Sequence, residues 1–212
     1  MSWLSDRLER YYGGAAALYE RTAAPLERAG AIAIRARLAG SLAGRVIEIG
    51  CGTGLNFPHY GPAAEVTATE LRREFRVFAT ERAKVARARI AVSEADAQAL
   101  PFADARFDAA LSTLVFCSVP DPLRGLRELR RVLRPGAPAH FLEHVRNPHP
   151  AAALFQYACN PFWRWCTNGC ELVRNTVPVI EAAGFTIDDV RVCDLPLRGA
   201  ALLPMREVYA RA

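Results

Sequence analysis

The sequence predicts a single α/β domain built around an open, mostly parallel β-sheet with helices on both faces. From residue 45 onward, short apolar segments rich in β-branched residues alternate with longer amphipathic segments. This alternation is typical of parallel strands joined by crossover helices. A chain of 212 residues is long enough for one domain with a sizeable core and short for two. A glycine-rich turn after the first strand supports the same fold class.

The composition is that of an ordinary globular protein. Hydrophobic residues make up 51% and charged residues 23% of the chain, so we expect no long disordered tail. The net charge of +5 comes almost wholly from arginine, since Lys84 is the only lysine. These arginines are scattered over predicted helices without interleaved aromatics, which favours solvated helix faces and no nucleic-acid partner.

The cysteine pattern predicts reduced thiols. Six cysteines occur without a secretory signal, which indicates a cytoplasmic protein. Cys166 and Cys170, with Cys159 upstream, lack the second pair or neighbouring histidine that would complete a zinc site. We therefore expect no metal.

The first 44 residues are predicted to form two helices. Trp3 and Tyr11 belong to an apolar stripe that repeats every three to four residues, and Gly13-Gly14 is predicted to break it. Helices that precede the first strand are expected to cap the mouth of a pocket, with Tyr11 touching the substrate. Packing in the core is the alternative. An amphipathic helix that begins with Trp also leaves weak peripheral contact with a membrane surface open.

The first strand, around Val46–Ile49, closes on three glycines spaced two apart. Because glycine tolerates positive φ and has no side chain, a nucleoside-bearing ligand can lie against such a loop. Leu55 stands where the dinucleotide fingerprint needs its last glycine, which weakens an NAD-binding interpretation. Glu48, just before the loop, is unusual in a buried strand and is expected to accept hydrogen bonds from loop amides or to act through water on a cation. The glycines are Gly50, Gly52 and Gly54.

An acidic residue ends the second predicted strand, Glu65–Thr69. Glu70 falls about twenty positions after the first glycine, where a carboxylate accepts hydrogen bonds from both hydroxyls of a ribose. Capping of the following helix is the alternative. A helix from Arg72 to Arg87 and a strand over Ala88–Val92 are predicted next.

The segment Glu48–Gly54 resembles motif I of class I S-adenosylmethionine-dependent methyltransferases. The resemblance implies a Rossmann-like sheet of seven strands with an antiparallel last strand, S-adenosylmethionine as cofactor and S-adenosylhomocysteine as product. It also implies that Asp96 accepts from the adenine amine while the Ala97 amide donates to the ring; a turn capped by the aspartate is the alternative. The full set expected at the cofactor is Glu48, Gly50, Cys51, Gly52, Gly54, Glu70, Leu71, Asp96, Ala97 and Thr113.

The second half of the chain continues the alternation with one interruption. Residues 45–147 are predicted to form the cofactor-binding core and 174–212 a C-terminal helix with two strands. Between them, residues 148–173 crowd aromatic side chains around Asn160-Pro161, too short and too polar to span a bilayer. We expect this insert to cover the substrate side of the crevice, with core packing as the alternative. The other predicted elements are strands Phe107–Ser112, Ala139–Val145, Phe185–Val192 and Met205–Ala210, and helices Pro122–Val132 and Asn175–Ala183.

Three short segments are similar to small thiol methyltransferases, a group that includes mammalian membrane-associated enzymes: Thr113–Val119, Leu142–Val145 and Asn168–Cys170. The resemblance implies S-methylation of a small, largely apolar thiol. Methylation of a phenol or quinone, methylation of a phospholipid amine, and a cofactor-binding scaffold without transfer are the alternatives. The sequence begins without the long apolar anchor of those relatives, so we expect no stable membrane span. It leaves the oligomeric state open.

The fifth predicted strand ends in the two candidate catalytic residues. His144 is the candidate base or orienter of a thiol, and Glu143 is expected to fix the cofactor's amino group or the imidazole tautomer. A thiol titrates near pH 8.5, so a base or a lowered pKa makes thiolate plentiful at neutral pH. A satisfied strand-end histidine is the alternative. The residues expected to bind the substrate are Tyr11, Phe116, Cys117, His144 and Trp163.

Overall fold

One seven-stranded sheet organises the fold. This computed structural model describes residues 3–167, 169–193 and 203–212, with only the backbone of residues 3–13 and 15. The order of the strands in the sheet is β3-β2-β1-β4-β5-β7-β6. Neighbouring strands run parallel except β7, which is antiparallel to β5 and β6. The predicted mostly parallel sheet with an antiparallel last strand is confirmed. The strands are β1 Gly44–Ile49, β2 Ala64–Thr69, β3 Arg89–Ser93, β4 Ala109–Thr113, β5 Pro138–His144, β6 Thr186–Cys193 and β7 Met205–Arg211.

Helices cover both faces of this sheet. Side chains of β1 alternate between the two layers, so Val46 packs in the core that holds Leu38 and Ala79, and Ile47 in the core that holds Leu129 and Ile180. The predicted bounds of α4 are confirmed, with Pro122 in its first turn and Asp121 as its cap. The helices are α1 Trp3–Leu26, α2 Ile32–Gly40, α3 Arg73–Ala83, α4 Pro122–Val132, α5 Pro150–Cys166 and α6 Thr176–Ala182.

The N-terminal helix is longer than predicted. The expected break at Gly13-Gly14 is wrong, because α1 continues through both glycines to Leu26. A glycine inside a helix costs only about 1 kcal/mol relative to alanine, and three alanines follow directly. The chain turns instead at a π-helical segment, Glu27–Ala31, where Gly30 has a φ of 132°. Only glycine adopts this φ readily, so Gly30 sets the angle between α1 and α2.

The aromatic insert is also helical. Its helix α5 runs through Pro161 to Cys166. Proline inside a helix removes one backbone hydrogen bond and strains the preceding turn. Within the three described ranges, no helix combines the length and apolarity that crossing a bilayer requires.

Candidate functional site

A cavity of about 460 Å³ opens at the carboxyl ends of β1, β2 and β4. Its volume falls within the range of about 300–1,000 Å³ that small-molecule sites occupy. In an open parallel sheet this edge is where ligands bind, at the point where the strand order reverses. The lining residues are Tyr19, Ile49, Gly50, Gly52, Thr69, Glu70, Leu71, Arg72, Phe75, Ala95, Asp96, Ala97, Gln98, Thr113, Leu114, Val115, Ser118, Val119, Pro120 and Thr167.

The glycine loop closes one side of the cavity, and its three glycines have different structural roles. All three have positive φ, at 60°, 57° and 84° in chain order. A Cβ on Gly50 would lie 2.6 Å from Val115, and one on Gly54 would lie 2.7 Å from the Phe57 ring. A Cβ on Gly52 would meet nothing within 4 Å. Close packing therefore explains the outer two glycines, while Gly52 leaves free space at the cavity wall for a ligand.

Two acidic side chains converge on the cavity from β2 and from the segment after β3. The Glu70 carboxylate accepts the Gly52 N–H at 3.1 Å through one oxygen and the Arg72 N–H at 2.9 Å through the other. Asp96 accepts the Gln98 N–H at 2.8 Å. A carboxylate oxygen has more than one lone pair, so both groups can accept further hydrogen bonds from a ligand. Leu71, Ala97 and Thr113 complete the predicted residues that this wall brings together.

The third predicted carboxylate does not line the cavity. Glu48 is fully buried and accepts hydrogen bonds from Asn56 Nδ2 and from the Tyr60 hydroxyl, both at 2.8 Å. Burial raises the pKa of Glu48, against the effect of these two donors. Because successive strand residues face opposite sides, Ile49 points to the cavity and Glu48 away from it. The predicted hydrogen bonds from loop amides are thus replaced by side-chain donors.

Two other predicted cofactor residues also lie outside the lining. Gly54 packs against Phe57, as described above. Cys51 is buried, its N–H donates to the Thr69 carbonyl at 2.9 Å, and burial raises the pKa of its thiol. Both residues shape the loop between β1 and the cavity.

A buried arginine, which the sequence analysis overlooked, ties the N-terminal helices to the cavity. Arg35 of α2 is 3% exposed and donates through Nη1 to Asn56 at 2.9 Å and to the Thr113 hydroxyl at 2.8 Å. Its Nε donates to Glu27 at 3.0 Å. The available signal was its spacing, four residues after Ala31 and three before Leu38, both buried. That spacing puts Arg35 on the buried face of the helix.

Tyr19 of α1 also lines the cavity. Its ring packs edge to face on Phe75 with centroids 5.4 Å apart, and burial raises the pKa of its hydroxyl. The predicted substrate residue Tyr11 lies in α1, and its side chain is outside the described part of the chain.

The loop after β4 forms the wall opposite the glycines. Leu114 holds a φ of 60°, uncommon for a residue with a branched side chain. Glu143 of β5 is fully buried beneath this loop and accepts three consecutive N–H groups, from Val115 at 3.3 Å, Phe116 at 3.1 Å and Cys117 at 2.9 Å. Burial raises the pKa of Glu143 to about 7, although these three donors lower it. Glu143 lies beneath this wall and does not itself line the cavity.

The Arg174 guanidinium holds the same loop from the far side, because Nη1 donates to the Phe116 and Val119 carbonyls, both at 2.7 Å. Phe116 itself is fully buried and packs edge to face on Phe141 in the core. If Phe116 binds the substrate as predicted, it would do so through the backbone of the loop after β4.

The remaining predicted residues gather behind this loop. His144 is 5% exposed, and neither of its ring nitrogens has a hydrogen-bond partner. His144, Trp163 and Cys117 all interact with the Cys170 sulfur and lower the pKa of that thiol, Cys117 most strongly. None of the four lines the cavity, although Ser118 and Thr167 nearby do. Across the described residues, no three His, Cys, Asp or Glu side chains are placed to hold a metal ion.

The sequence of this chain is similar to those of known proteins. Residues 47–141 match the methyltransferase domain family. The thiol S-methyltransferase TMT1A of Homo sapiens is 34% identical over 170 residues, which cover 78% of this chain and 69% of TMT1A. TMT1B of Rattus norvegicus is 37% identical over 148 residues, or 66% of this chain and 59% of TMT1B. This chain thus matches less than two thirds of the length of TMT1B.

Among solved structures, an S-adenosylmethionine-dependent methyltransferase from Mesorhizobium loti has a TM-score of 0.65 at 22% identity. The match covers 87% of this chain and 98% of that one, and it shows a shared fold.

Proposed function

Because the chain belongs to the family of S-adenosylmethionine-dependent methyltransferases, we propose that it transfers a methyl group from this cofactor to the sulfur of a small, largely apolar thiol. The observation that carries the proposal is the cavity itself, where two carboxylates and an open glycine meet at the carboxyl edge of the sheet. The thiol acceptor is supported by the similarity to TMT1A and TMT1B, whose names state that acceptor.

The residues present fit the cofactor. Glu70 would accept the ribose hydroxyls, Asp96 the adenine amine, and the Ala97 amide would donate to the ring, while the free space at Gly52 admits the nucleoside against the backbone. Gly50, Leu71 and Thr113 would complete the contact. When bound, S-adenosylmethionine supplies an electrophilic methyl group on a sulfonium. Glu48, Cys51 and Gly54 would act indirectly, by holding the loop in shape.

The protein would contribute to the chemistry by positioning the acceptor sulfur and by keeping water out of the cavity. Apolar side chains of Leu114, Val115 and Val119 face the cavity, and a dry wall favours a reaction in which a thiolate and a sulfonium neutralise one another. Holding the sulfur in line with the methyl group at about 3–3.5 Å supplies much of the rate enhancement. His144, with two unpartnered nitrogens, is the proposed proton acceptor or orienter. Glu143 would serve by fixing the loop after β4.

A binding titration and an acceptor panel test the proposal. Calorimetry with S-adenosylmethionine and S-adenosylhomocysteine should show that both bind, and no binding at millimolar concentration would refute any methyl transfer. Aliphatic thiols, phenols and amines are then assayed for S-adenosylhomocysteine formation. We expect turnover with thiols. Turnover of phenols or amines alone would instead support the quinone or phospholipid alternatives, and binding without any turnover would support a scaffold.

The terminal segments have proposed roles at the mouth of the cavity. Residues 1–44 would form a cap, supported by Tyr19 in the lining and by Arg35 beneath Thr113. Residues 148–173 would cover the acceptor side, supported by Thr167 in the lining. Within the single domain, residues 45–147 and 174–212 would supply the sheet that carries both.

We place the protein in the cytoplasm, with weak association to membrane surfaces through α5. Two polar side chains of α5 face inward, since Gln156 accepts the Asn147 N–H and Asn160 accepts the Leu172 N–H, each at 2.8 Å. Its outward side chains are apolar, with Phe162 69% and Trp165 81% exposed. No acidic residue occurs in α5, which suits an anionic interface.

Co-sedimentation with vesicles containing phosphatidylserine should retain part of the protein, and the double variant F162E/W165E should lose it. Equal sedimentation of both proteins would contradict this role. Self-association of the free protein, measured by ultracentrifugation and lost in the same variant, would assign the face to a second copy of the chain.

A further inference from the structure

Two cysteines from distant parts of the chain meet beside the cavity. Cys117 lies in the loop after β4 and is buried, whereas Cys170 follows α5 and is partly exposed. The Glu171 N–H donates to the Cys117 carbonyl at 2.9 Å, and the two thiols interact directly. This bond brings together the two segments that carry the cysteines.

The surroundings of the pair favour a thiolate on one member. The indole nitrogen of Trp163 and both ring nitrogens of His144 are buried without hydrogen-bond partners of their own, and both side chains interact with the Cys170 sulfur. The proximity of the two thiols lowers the pKa of Cys170 and raises the pKa of Cys117. The thiolate is the nucleophile in exchange with disulfides, so Cys170 is suited to attack and Cys117 to follow.

The pair also has a route to small molecules. Ser118, next to Cys117, and Thr167, three residues before Cys170, both line the cavity. A Cβ on Gly169 would lie 3.6 Å from the Ser118 carbonyl, so the two segments are packed together at the cavity edge. A compound in the cavity therefore lies against Ser118 and Thr167, which border the segments that carry the two cysteines.

We propose that Cys170 and Cys117 form a reactive thiol pair that reduces small apolar disulfides at the edge of this cavity. The Cys170 thiolate attacks one sulfur of the disulfide, which forms a mixed disulfide and releases a first thiolate. This thiolate takes the proton of Cys117, and the Cys117 thiolate then attacks the Cys170 sulfur and releases the second thiolate. Two electrons pass from the cysteine pair to the small disulfide. The activity goes beyond methyl transfer and needs no cofactor.

The test uses reduced protein, dipropyl disulfide and no S-adenosylmethionine. All variants carry Cys166→Ser, which removes the exposed thiol. The parent protein should release two equivalents of propanethiol, and peptide mass mapping should find Cys117 joined to Cys170. With Cys117→Ser added, one equivalent should be released and a propylthio group should remain on Cys170. With Cys170→Ser added, no thiol should be released from this pair.

The parent protein alone can overturn the inference, so it stays falsifiable if a variant fails to fold. A map in which Cys170 stays unmodified, or in which it keeps the propylthio group while Cys117 is intact, refutes the pair. Because the assay contains no methyl donor, its outcome is separate from that of the acceptor panel. Melting temperatures of the variants distinguish loss of reactivity from loss of fold.

Discussion

At the scale of single residues, Glu70 has two tasks that depend on one carboxylate. It accepts the Gly52 N–H and so orders the glycine loop, and it lines the cavity where a ribose would lie. Hydrogen bonds to a charged acceptor contribute about 1.5–3 kcal/mol, more than neutral ones. The charge on Glu70 should therefore matter more to cofactor affinity than its size.

Replacing Glu70 with Gln tests that charge. We expect the dissociation constant for S-adenosylhomocysteine to rise about 10- to 150-fold, the equivalent of one such bond. The measurement is calorimetric titration. Glu81→Gln is the matched control, since Glu81 is exposed and pairs with Lys84 at the surface. Equal affinities in the two variants would remove Glu70 from the ribose site.

The second prediction at this scale concerns His144. We expect His144→Ala to lower thiol turnover by about 10²-fold, the smaller end of general-base effects, and to shift the pH optimum upward. Without the imidazole, ionisation of the acceptor thiol depends on solvent. Cofactor affinity should change little, because His144 lies outside the cavity lining. Equal turnover at pH 7 would leave positioning and desolvation as the explanation, and loss of cofactor binding would place His144 in the cofactor site.

At the scale of elements, the loop after β4 depends on one buried carboxyl. Glu143 satisfies three consecutive N–H groups that would otherwise be buried without partners. An unfolded glutamate titrates near 4.3, whereas the pKa of Glu143 in the fold is about 7. The folded state therefore holds this proton more tightly. The resulting stabilisation is complete below about pH 4.3 and is lost as the pH rises through about 7.

Glu143→Gln removes this titration and should flatten part of the pH dependence. Between pH 5 and pH 8, the free energy of unfolding of the wild type should fall relative to that of the variant by about 2–3 kcal/mol. Urea unfolding at both pH values measures the difference, with exposed Glu181→Gln as control. A constant difference across this pH range would show that the carboxyl stays ionised throughout.

At the scale of the whole molecule, a buried polar network joins the N-terminal helices to the sheet. Arg35 contacts Glu27, Asn56 and Thr113, and Asn56 in turn contacts Glu48. Removing one partner of a buried ion pair leaves an uncompensated charge and costs about 3–5 kcal/mol. The helices before β1 are thus part of the domain's cooperative structure.

Arg35→Ala should lower the melting temperature by roughly 6–20 °C, from about 2–4 °C per kcal/mol for a chain of this size. It should also weaken binding of S-adenosylhomocysteine, because Thr113 loses a donor at the cavity wall. Calorimetric scans and titrations of Arg35→Ala and of exposed Arg21→Ala provide the comparison. If both variants have the same melting temperature, the network does not stabilise the packing of the N-terminal helices on the sheet.

Local patterns sufficed for the order of elements and for the edge that carries the site. Hydrophobic period and proline positions are properties of neighbouring residues, so α4 was predicted at its observed bounds. The spacing after the first glycine pointed to Glu70 and the family resemblance to Asp96, and both residues line the cavity. The same patterns placed the helix break at Gly13-Gly14 instead of Gly30, because a local rule cannot weigh glycine cost against the surrounding helix.

Roles that depend on which face a side chain takes, or on contacts between distant residues, required the folded chain. Because side chains alternate along β1, Ile49 and Glu48 face opposite sides of the sheet. Glu48 is the one turned away from the cavity, because Asn56 and Tyr60 on that side donate hydrogen bonds to it. Arg35 donates a hydrogen bond to Thr113, although 78 positions separate the two residues in the sequence. Cys170 meets Cys117 only because β4 and the segment after α5 end at the same edge of the sheet. Sequence spacing carries no information on such pairs, since the fold alone brings them into contact.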